Sequence, residues 1–344
     1  MISLKSKIIV TGGLGYIGSH TVVELISQGF EVIIVDDLSN SSINILEGMQ
    51  NICKKNLIFE KIDLKNKILV KKLFNNYSDI DGVIHFAASK SVSESVINPL
   101  KYYENNLIPL INLLEEINNI KRDVNFIFSS SCTVYGQAKH LPINEKETIK
   151  EAESPYGNTK QICEEIIQDS CKAYNLKAIS LRYFNPIGAH PSYEIGELPI
   201  GKPQNLVPFI TQTAIGKYNK LTIFGNNYPT KDGTCIRDYI HVVDLAKAHI
   251  KSLEKLIENK SVSKYDVFNI GTGKGVSVLE VIKSFEKVCN KKLNYIIGSK
   301  RKGDVTEAYA DTTKANIILN WKTELSLDQA LLSAWEWEKK IPKI

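Results

Sequence analysis

Short apolar runs alternate with helical stretches along the first half of the chain. Residues 7–11, 31–36, 57–61, 81–86 and 125–129 read as buried strands, and residues 16–28, 65–77 and 100–118 read as helices between them. Strand–helix alternation at this spacing predicts an α/β fold built on a doubly wound parallel sheet. Ligands of such a sheet bind beyond the carboxyl ends of its strands. Further on, Ser154-Pro155-Tyr156 opens a helix that runs through Ile162, Glu165, Ile166 and Ser170. Serine is its cap and proline lies in its first turn. Residues 239–254 read as one more strand and helix of the first domain.

Composition narrows the picture. At 344 residues the chain is too long for one core and fits two domains. The net charge of +5 comes from scattered lysines, not from a basic stripe with interleaved aromatics, so nucleic acid is not an expected partner. Arginine is scarce: Arg122, Arg182, Arg237 and Arg301 are the four among 43 basic residues. Each then marks a place where forked hydrogen bonding could matter. The six cysteines show no CxxC pair and no metal-type spacing, which points to reduced thiols and no bound metal. The longest apolar run near the amino terminus, Ile8-Ile9-Val10, is too short for a membrane span, so a cytoplasmic protein is expected.

The chemistry starts where the first strand ends. Gly12-Gly13-Leu14-Gly15-Tyr16-Ile17-Gly18 lies between strand and helix, as in a Rossmann-like dinucleotide fold. Gly12 permits the tight turn, Gly15 lets backbone approach a pyrophosphate, and Gly18 lets the helix pack close to the sheet. Asp36 closes the second strand, where a carboxylate accepts from adenosine ribose hydroxyls and repels a 2′-phosphate. That favours NAD over NADP. Asp63 and Leu64 follow the third strand, where they would border the adenine. Phe86, Ala87, Ala88 and Lys90 follow the fourth. Small residues there let backbone pass beside the cofactor, and Lys90 would reach its phosphates.

An acid/base group comes next. Ser131 follows the fifth strand run, and Tyr156 and Lys160 lie four apart on one helix face. Tyr135 and Lys139 share that spacing, but Gly136 and a proline-containing loop break any helix there. A free tyrosine titrates near 10, and a base useful at neutral pH needs about 7, a gap of about 4 kcal/mol. A nearby ammonium and a positively charged nicotinamide both favour the phenolate. Ser131 would share the same sugar hydroxyl and pass its proton toward Tyr156.

These residues resemble the extended short-chain dehydrogenase/reductase family. Two blocks of the second half, 181–191 (Leu-Arg-Tyr-Phe-Asn-Pro-Ile-Gly-Ala-His-Pro) and 232–246 (Asp-Gly-Thr-Cys-Ile-Arg-Asp-Tyr-Ile-His-Val-Val-Asp-Leu-Ala), are similar to those of UDP-hexose 4-epimerases within it. Asn269-Ile270-Gly271-Thr272-Gly273 and Arg301-Lys302-Gly303-Asp304 continue the match. The resemblance implies a catalytic set of Ser131, Tyr156 and Lys160. Around NAD it adds Tyr16, Ile17, Asn40, Asn105, Tyr183 and Phe184 to the residues already named. For a UDP-sugar it implies Lys90, Ser131, Tyr156, Asn185, Asn205, Leu206, Thr222, Phe224, Arg237, Tyr239, Arg301, Asp304 and Ala308. Phe224 would help form the uracil pocket, and Arg237 and Arg301 would clamp the diphosphate. Arg182 reads as structural and Arg122 as a surface residue.

The implied reaction oxidises the sugar at C4, turns the 4-keto sugar over within the pocket, and reduces its other face, with no net redox. Ala308 matches a position where a small residue admits N-acetyl sugars and tyrosine excludes them. A 4,6-dehydratase would carry an Asp-Glu pair after its Ser/Thr pair, whereas Val134-Tyr135 follow Thr133 here. A UDP-glucuronate 4-epimerase is a closer rival, and a silent NAD-binding regulator is one of another class. The expected division is an NAD-binding domain, 1–186 with a returning segment 238–262, and a UDP-sugar domain, 187–237 with 263–344. Helices 100–118 and 156–174 would pair across a homodimer, as the family does.

Overall fold

Seven parallel strands form the central sheet of the computed structural model, which describes residues 6–120, 122–258, 263–301 and 304–341. The first half runs β1 (Lys7–Thr11), α1 (Tyr16–Ser27), β2 (Glu31–Asp36), α2 (Asn44–Cys53), β3 (Ile58–Lys61), α3 (Lys67–Asn76), β4 (Gly82–His85), α4 (Val92–Ile97), α5 (Pro99–Asn119), β5 (Val124–Ser131), α6 (Pro155–Ala173) and β6 (Leu176–Tyr183). The second half runs β7 (Asn185–Ile187), α7 (Leu206–Ala214), β8 (Leu221–Phe224), β9 (Ile236–Arg237), β10 (Tyr239–His241), α8 (Val242–Ile257), β11 (Tyr265–Ile270), β12 (Val276–Ser277), α9 (Val278–Cys289), β13 (Tyr295–Gly298), β14 (Glu307–Ala308), α10 (Thr313–Ile318) and α11 (Leu327–Lys340).

The sheet order is β11-β6-β5-β4-β1-β2-β3. Strand order reverses between β1 and β4, which opens a crevice beyond their carboxyl ends. Helices cover both faces, so β1, β2 and β4 are buried along nearly their whole length. Ile8 and Val10 pack on the side of α1 and α8, while Ile9, Ile33 and Val35 pack on the side of α3, α5 and α6. A separate core joins α7, α9 and α11 around Ile210, Phe285, Leu331 and Trp335. Capping boxes start α9 (Ser277, Glu280) and α11 (Ser326, Gln329).

The chain crosses between the two cores more often than the sequence suggests. Helix α8 packs on α1 and buries Leu245, Ala248, Leu253 and Leu256 in the first core, but β10, expected in that same sheet, pairs with β7 instead. Strand β11 falls within 263–344, yet it is the edge of the central sheet, paired along β6. Ala315, Leu319 and Trp321 also pack into the first core. A run of three to six residues carries no record of which sheet it joins, and tertiary pairing settled it. Residues 259–262 of the returning segment lie outside the described residues.

Four histidines are buried: His20, His85, His241 and His249. Burial draws His20 and His85 down to about 3, and His241 and His249 to about 4. Below about pH 6.5 the unfolded chain takes up protons that the folded one refuses. Stability from these groups is therefore complete above that pH and is lost as pH falls toward 4. At pH 5 each costs roughly 2 kcal/mol, a large total against ordinary protein stability. Thermal melting should show Tm dropping steeply between pH 7 and 5; a flat Tm would refute this.

Candidate active site

At the crevice the glycine turn does what its spacing requires. Gly12 has φ +64°, and a Cβ there would lie 2.7 Å from the Ala87 nitrogen. The β1 and β4 loops thus touch backbone to backbone. At Gly18 a Cβ would lie 2.2 Å from the Gly12 carbonyl oxygen. Helix α1 begins at Gly15 with no side-chain cap, so its first amides are open to an anion. Asp36 accepts from the Leu14 amide through Oδ2 (3.0 Å), and from the Leu38 amide (3.0 Å) and the Ser41 hydroxyl (2.7 Å) through Oδ1. Oδ2 keeps one lone pair, enough for a ribose hydroxyl.

Other predicted cofactor residues have partners within the protein. Tyr16 donates to the Gly188 carbonyl (2.7 Å), and Ile17 packs on the first core. Asn40 is exposed on the β2 loop. Asp63 accepts from the Lys65 amide, Leu64 is buried, and Asn105 is held by Lys65 (2.8 Å) and Ser89 (3.2 Å). Phe86 packs on His249, 4.7 Å between ring centres. Ala88 follows Ala87 in the β4 loop and is half-buried.

Ser131 ends β5, and α6 carries Tyr156 and Lys160 beside it. Ser154 caps α6 by accepting from the Gly157 amide (3.2 Å). The Ser131 hydroxyl accepts from the Thr133 amide (3.2 Å) and from the Thr133 hydroxyl (3.0 Å). Both lone pairs are taken, so its own proton is what remains to give. Lys160 is buried, donates to the Ser129 carbonyl (2.7 Å) and stands 5.9 Å from the Tyr156 ring centre. Burial pushes the Tyr156 phenol up to about 12, and the Ser131 hydroxyl pulls it partly back. In the protein alone burial wins; the expectation is that the ammonium and the nicotinamide charge favour the phenolate together. Burial also draws Lys160 down to about 8, against Cys163 and then Glu164. Tyr183 meets His249 at 2.5 Å, and Phe184 packs with Val134, Tyr135, Ile143 and Ala310.

The substrate side is assembled from distant loops. Asn185 leaves β6 with its amide on the Asp238 carbonyl (2.9 Å). The Arg237 guanidinium donates to the Ile236 carbonyl (2.8 Å) and lies 4.0 Å from Asp304. Arg301 stacks on Phe224, its guanidinium 3.8 Å from the ring centre. Lys302 and Gly303 lie outside the described residues. Lys90 and Asn205 both reach Glu197, at 3.3 and 2.6 Å. Leu206 starts α7 on the second core, and Tyr239 is buried in that core. Thr222 lies on β8 opposite Ile296 of β13. Ala308 pairs with Arg237 across β14 and β9, and it packs with Cys132 around the Phe184 cluster.

Three residues at the site are not among those the sequence names, and two of them carry no signal there. Glu197, which links Lys90 and Asn205, lies in a loop without a signal. Asp238 takes the Thr272 amide and hydroxyl, the Gly273 amide and the Ala310 amide, and nothing beside Arg237 in the chain marks it. Glu164 lies four residues after Lys160, and that spacing would have revealed it.

A glycine turn at the sheet's reversal point, with serine, tyrosine and lysine gathered across the crevice, defines an extended short-chain dehydrogenase/reductase. A family model described as GDP-mannose 4,6 dehydratase matches residues 9–333. The UDP-glucose 4-epimerase of Bacillus subtilis is 46% identical over 334 residues, 96% of each chain. The Stenotrophomonas maltophila UDP-glucose-4-epimerase, solved with bound NAD and formylated UDP-arabinopyranose, superposes with TM-score 0.93 at 40% identity over 97% of this chain and 98% of that one. The Bifidobacterium longum enzyme, solved with NAD+ and UDP, gives 0.92 at 42% identity over 98% and 99%. The chain belongs to the UDP-glucose 4-epimerase family.

Proposed function

We propose that this protein is an NAD-dependent isomerase that interconverts UDP-galactose and UDP-glucose at C4. The observation that carries the reading is the Ser131, Tyr156 and Lys160 set at a dinucleotide crevice, in a chain that matches epimerases over almost its whole length. The crevice fits the cofactor: α1 starts against the glycine turn, so close that a Cβ at Gly18 would push it off, its first amides have no side-chain cap, and Asp36 keeps one acceptor site. Gly12, Gly15, Gly18 and Asp36 would hold it. NAD, when bound, supplies the redox step at C4 and a positive ring charge that favours the phenolate.

The protein's own groups do the rest. Tyr156 Oη takes the proton from the sugar O4 and returns it. Ser131 donates to the same oxygen, and Lys160 contributes its charge. Arg237, Arg301, Asn185 and Asn205 hold the nucleotide, so that binding energy comes from UDP and the sugar is free to turn. A dehydratase needs an added acid after Thr133, where Val134 and Tyr135 are fully buried, and the epimerase reading is favoured. The decisive experiment incubates the purified protein with UDP-galactose, without added NAD, and assays UDP-glucose. No product even with NAD supplied would defeat the reading.

The small side chain of Ala308, next to Arg237 across β14 and β9, supports N-acetylated substrates as well. Ala308→Tyr should cut turnover of UDP-GlcNAc at least about tenfold relative to UDP-glucose. Equal N-acetyl turnover in both forms would discard the role. A homodimer is supported by an apolar strip on α4 and α5: Val96, Ile97, Leu100, Ile108 and Ile111 are all exposed. Among the described residues no helix is long and apolar enough to cross a membrane. We place the protein in the cytoplasm because all six thiols are free.

A further inference from the structure

Glu164 is a buried carboxylate to which the acid/base chemistry assigns no step. It follows Lys160 by one turn on the same face of α6. Its Oε1 accepts from Ser130 Oγ at 2.5 Å and from Arg182 Nε at 2.9 Å, and its Oε2 accepts from Arg182 Nη2 at 2.6 Å. The two side chains are 6% and 4% exposed. Arg182 Nη1 donates to the Tyr135 hydroxyl (2.9 Å), which donates to Asn269 Oδ1 (2.7 Å). One network therefore ties α6, the end of β5 beside Ser131, the turn after Ser131, β6 and β11. A buried ion pair adds little stability over an apolar pair of similar volume. Its place against the acid/base set is the more informative fact.

We propose that Glu164 and Arg182 form a positioning unit for that set, in which the Glu164 carboxylate keeps the Lys160 ammonium charged and Ser130 fixes the strand end carrying Ser131. The proposal rests on the epimerase reading above. The titratable groups around Lys160 are His85 on β4, Tyr156, Cys163 and Glu164 on α6, and Tyr183 at the end of β6. Burial keeps His85 neutral, drawn down to about 3, and pushes Cys163 up to about 12. Burial also pushes Tyr156 up to about 12 and raises Tyr183 well above its ordinary value. With NAD bound the ring charge lowers the phenol, so Tyr156 sets the acid limb, and Lys160, drawn down to about 8, sets the alkaline limb with the Glu164 carboxylate as its neighbour. Arg182, bonded to both Glu164 oxygens, offsets that charge. Removing either partner exposes the other, so the two removals must act on Lys160 in opposite directions.

The test is the pH profile of kcat/KM for UDP-galactose with NAD-loaded enzyme, where the alkaline limb reports loss of the Lys160 proton. Glu164→Gln should move that limb down by about one pH unit, and Arg182→Leu should move it up. The double variant should return it to the parental position, and Glu164→Asp should leave it close to there. Limbs that coincide in all variants, or that move the same way in both single variants, would overturn the proposal. Should Arg182→Leu fail to accumulate, the comparison of Glu164→Gln with Glu164→Asp is sufficient, since of the two only the carboxylate-bearing variant should hold the limb in place. A parental enzyme without C4 interconversion would defeat the epimerase reading itself. Turnover with unmoved limbs would defeat the positioning role alone.

Discussion

Tyr156→Phe should lower kcat by about 10³- to 10⁴-fold while leaving the fold, NAD retention and KM for the UDP-sugar nearly unchanged. In the proposed mechanism the phenol is the proton carrier at O4, and the ring that packs beside Lys160 survives the substitution. Loss in kcat without loss in binding is the signature of a group that acts only in the transition state. Tyr135→Phe makes the informative contrast. Tyr135 has the same spacing to a lysine, but it is fully buried, and its hydroxyl joins Arg182 to Asn269. Its loss should cost about 1–3 kcal/mol of stability and spare most of the turnover. Steady-state kinetics and melting of both variants check this. Undiminished interconversion by Tyr156→Phe would remove the mechanism.

Gly18→Ala should strip the protein of retained NAD and reduce activity at least about 100-fold. The added methyl would lie 2.2 Å from the Gly12 carbonyl oxygen and 2.9 Å from Gly13 Cα. Both neighbours are backbone, so no side chain can swing aside. Helix α1 must move away from the turn, and its amides leave the pyrophosphate position. Overpacking of this kind costs about 1–3 kcal/mol or more. Absorbance of the acid-released cofactor measures the loss directly. A variant that keeps a full complement of NAD would show that the turn is not the cradle.

Much of this was legible along the chain because it is local. A strand that must be buried on both faces is written as an apolar run, and β1 and β2 have the predicted bounds. A turn that must let backbone touch backbone is written in glycine. Ser154-Pro155 announces α6 because caps act within a few residues of themselves. The pattern missed α2, whose apolar face is short, and it ended the fifth run at 129, two residues short of Ser131.

The sequence by itself determined the class of fold, the crevice and the helix on which Tyr156 and Lys160 lie four apart, since each depends on neighbours a few positions apart. The tertiary structure alone decided which sheet β10 and β11 joined, that Lys90 and Asn205 meet at Glu197, and that Arg301 lies over Phe224. It also decided the charge balance of the site. Burial, not the neighbouring amine, governs Tyr156, and Glu164 is tied to an arginine 18 positions away. Desolvation and long-range pairing depend on what surrounds a group in space, and spacing along a chain carries no measure of that.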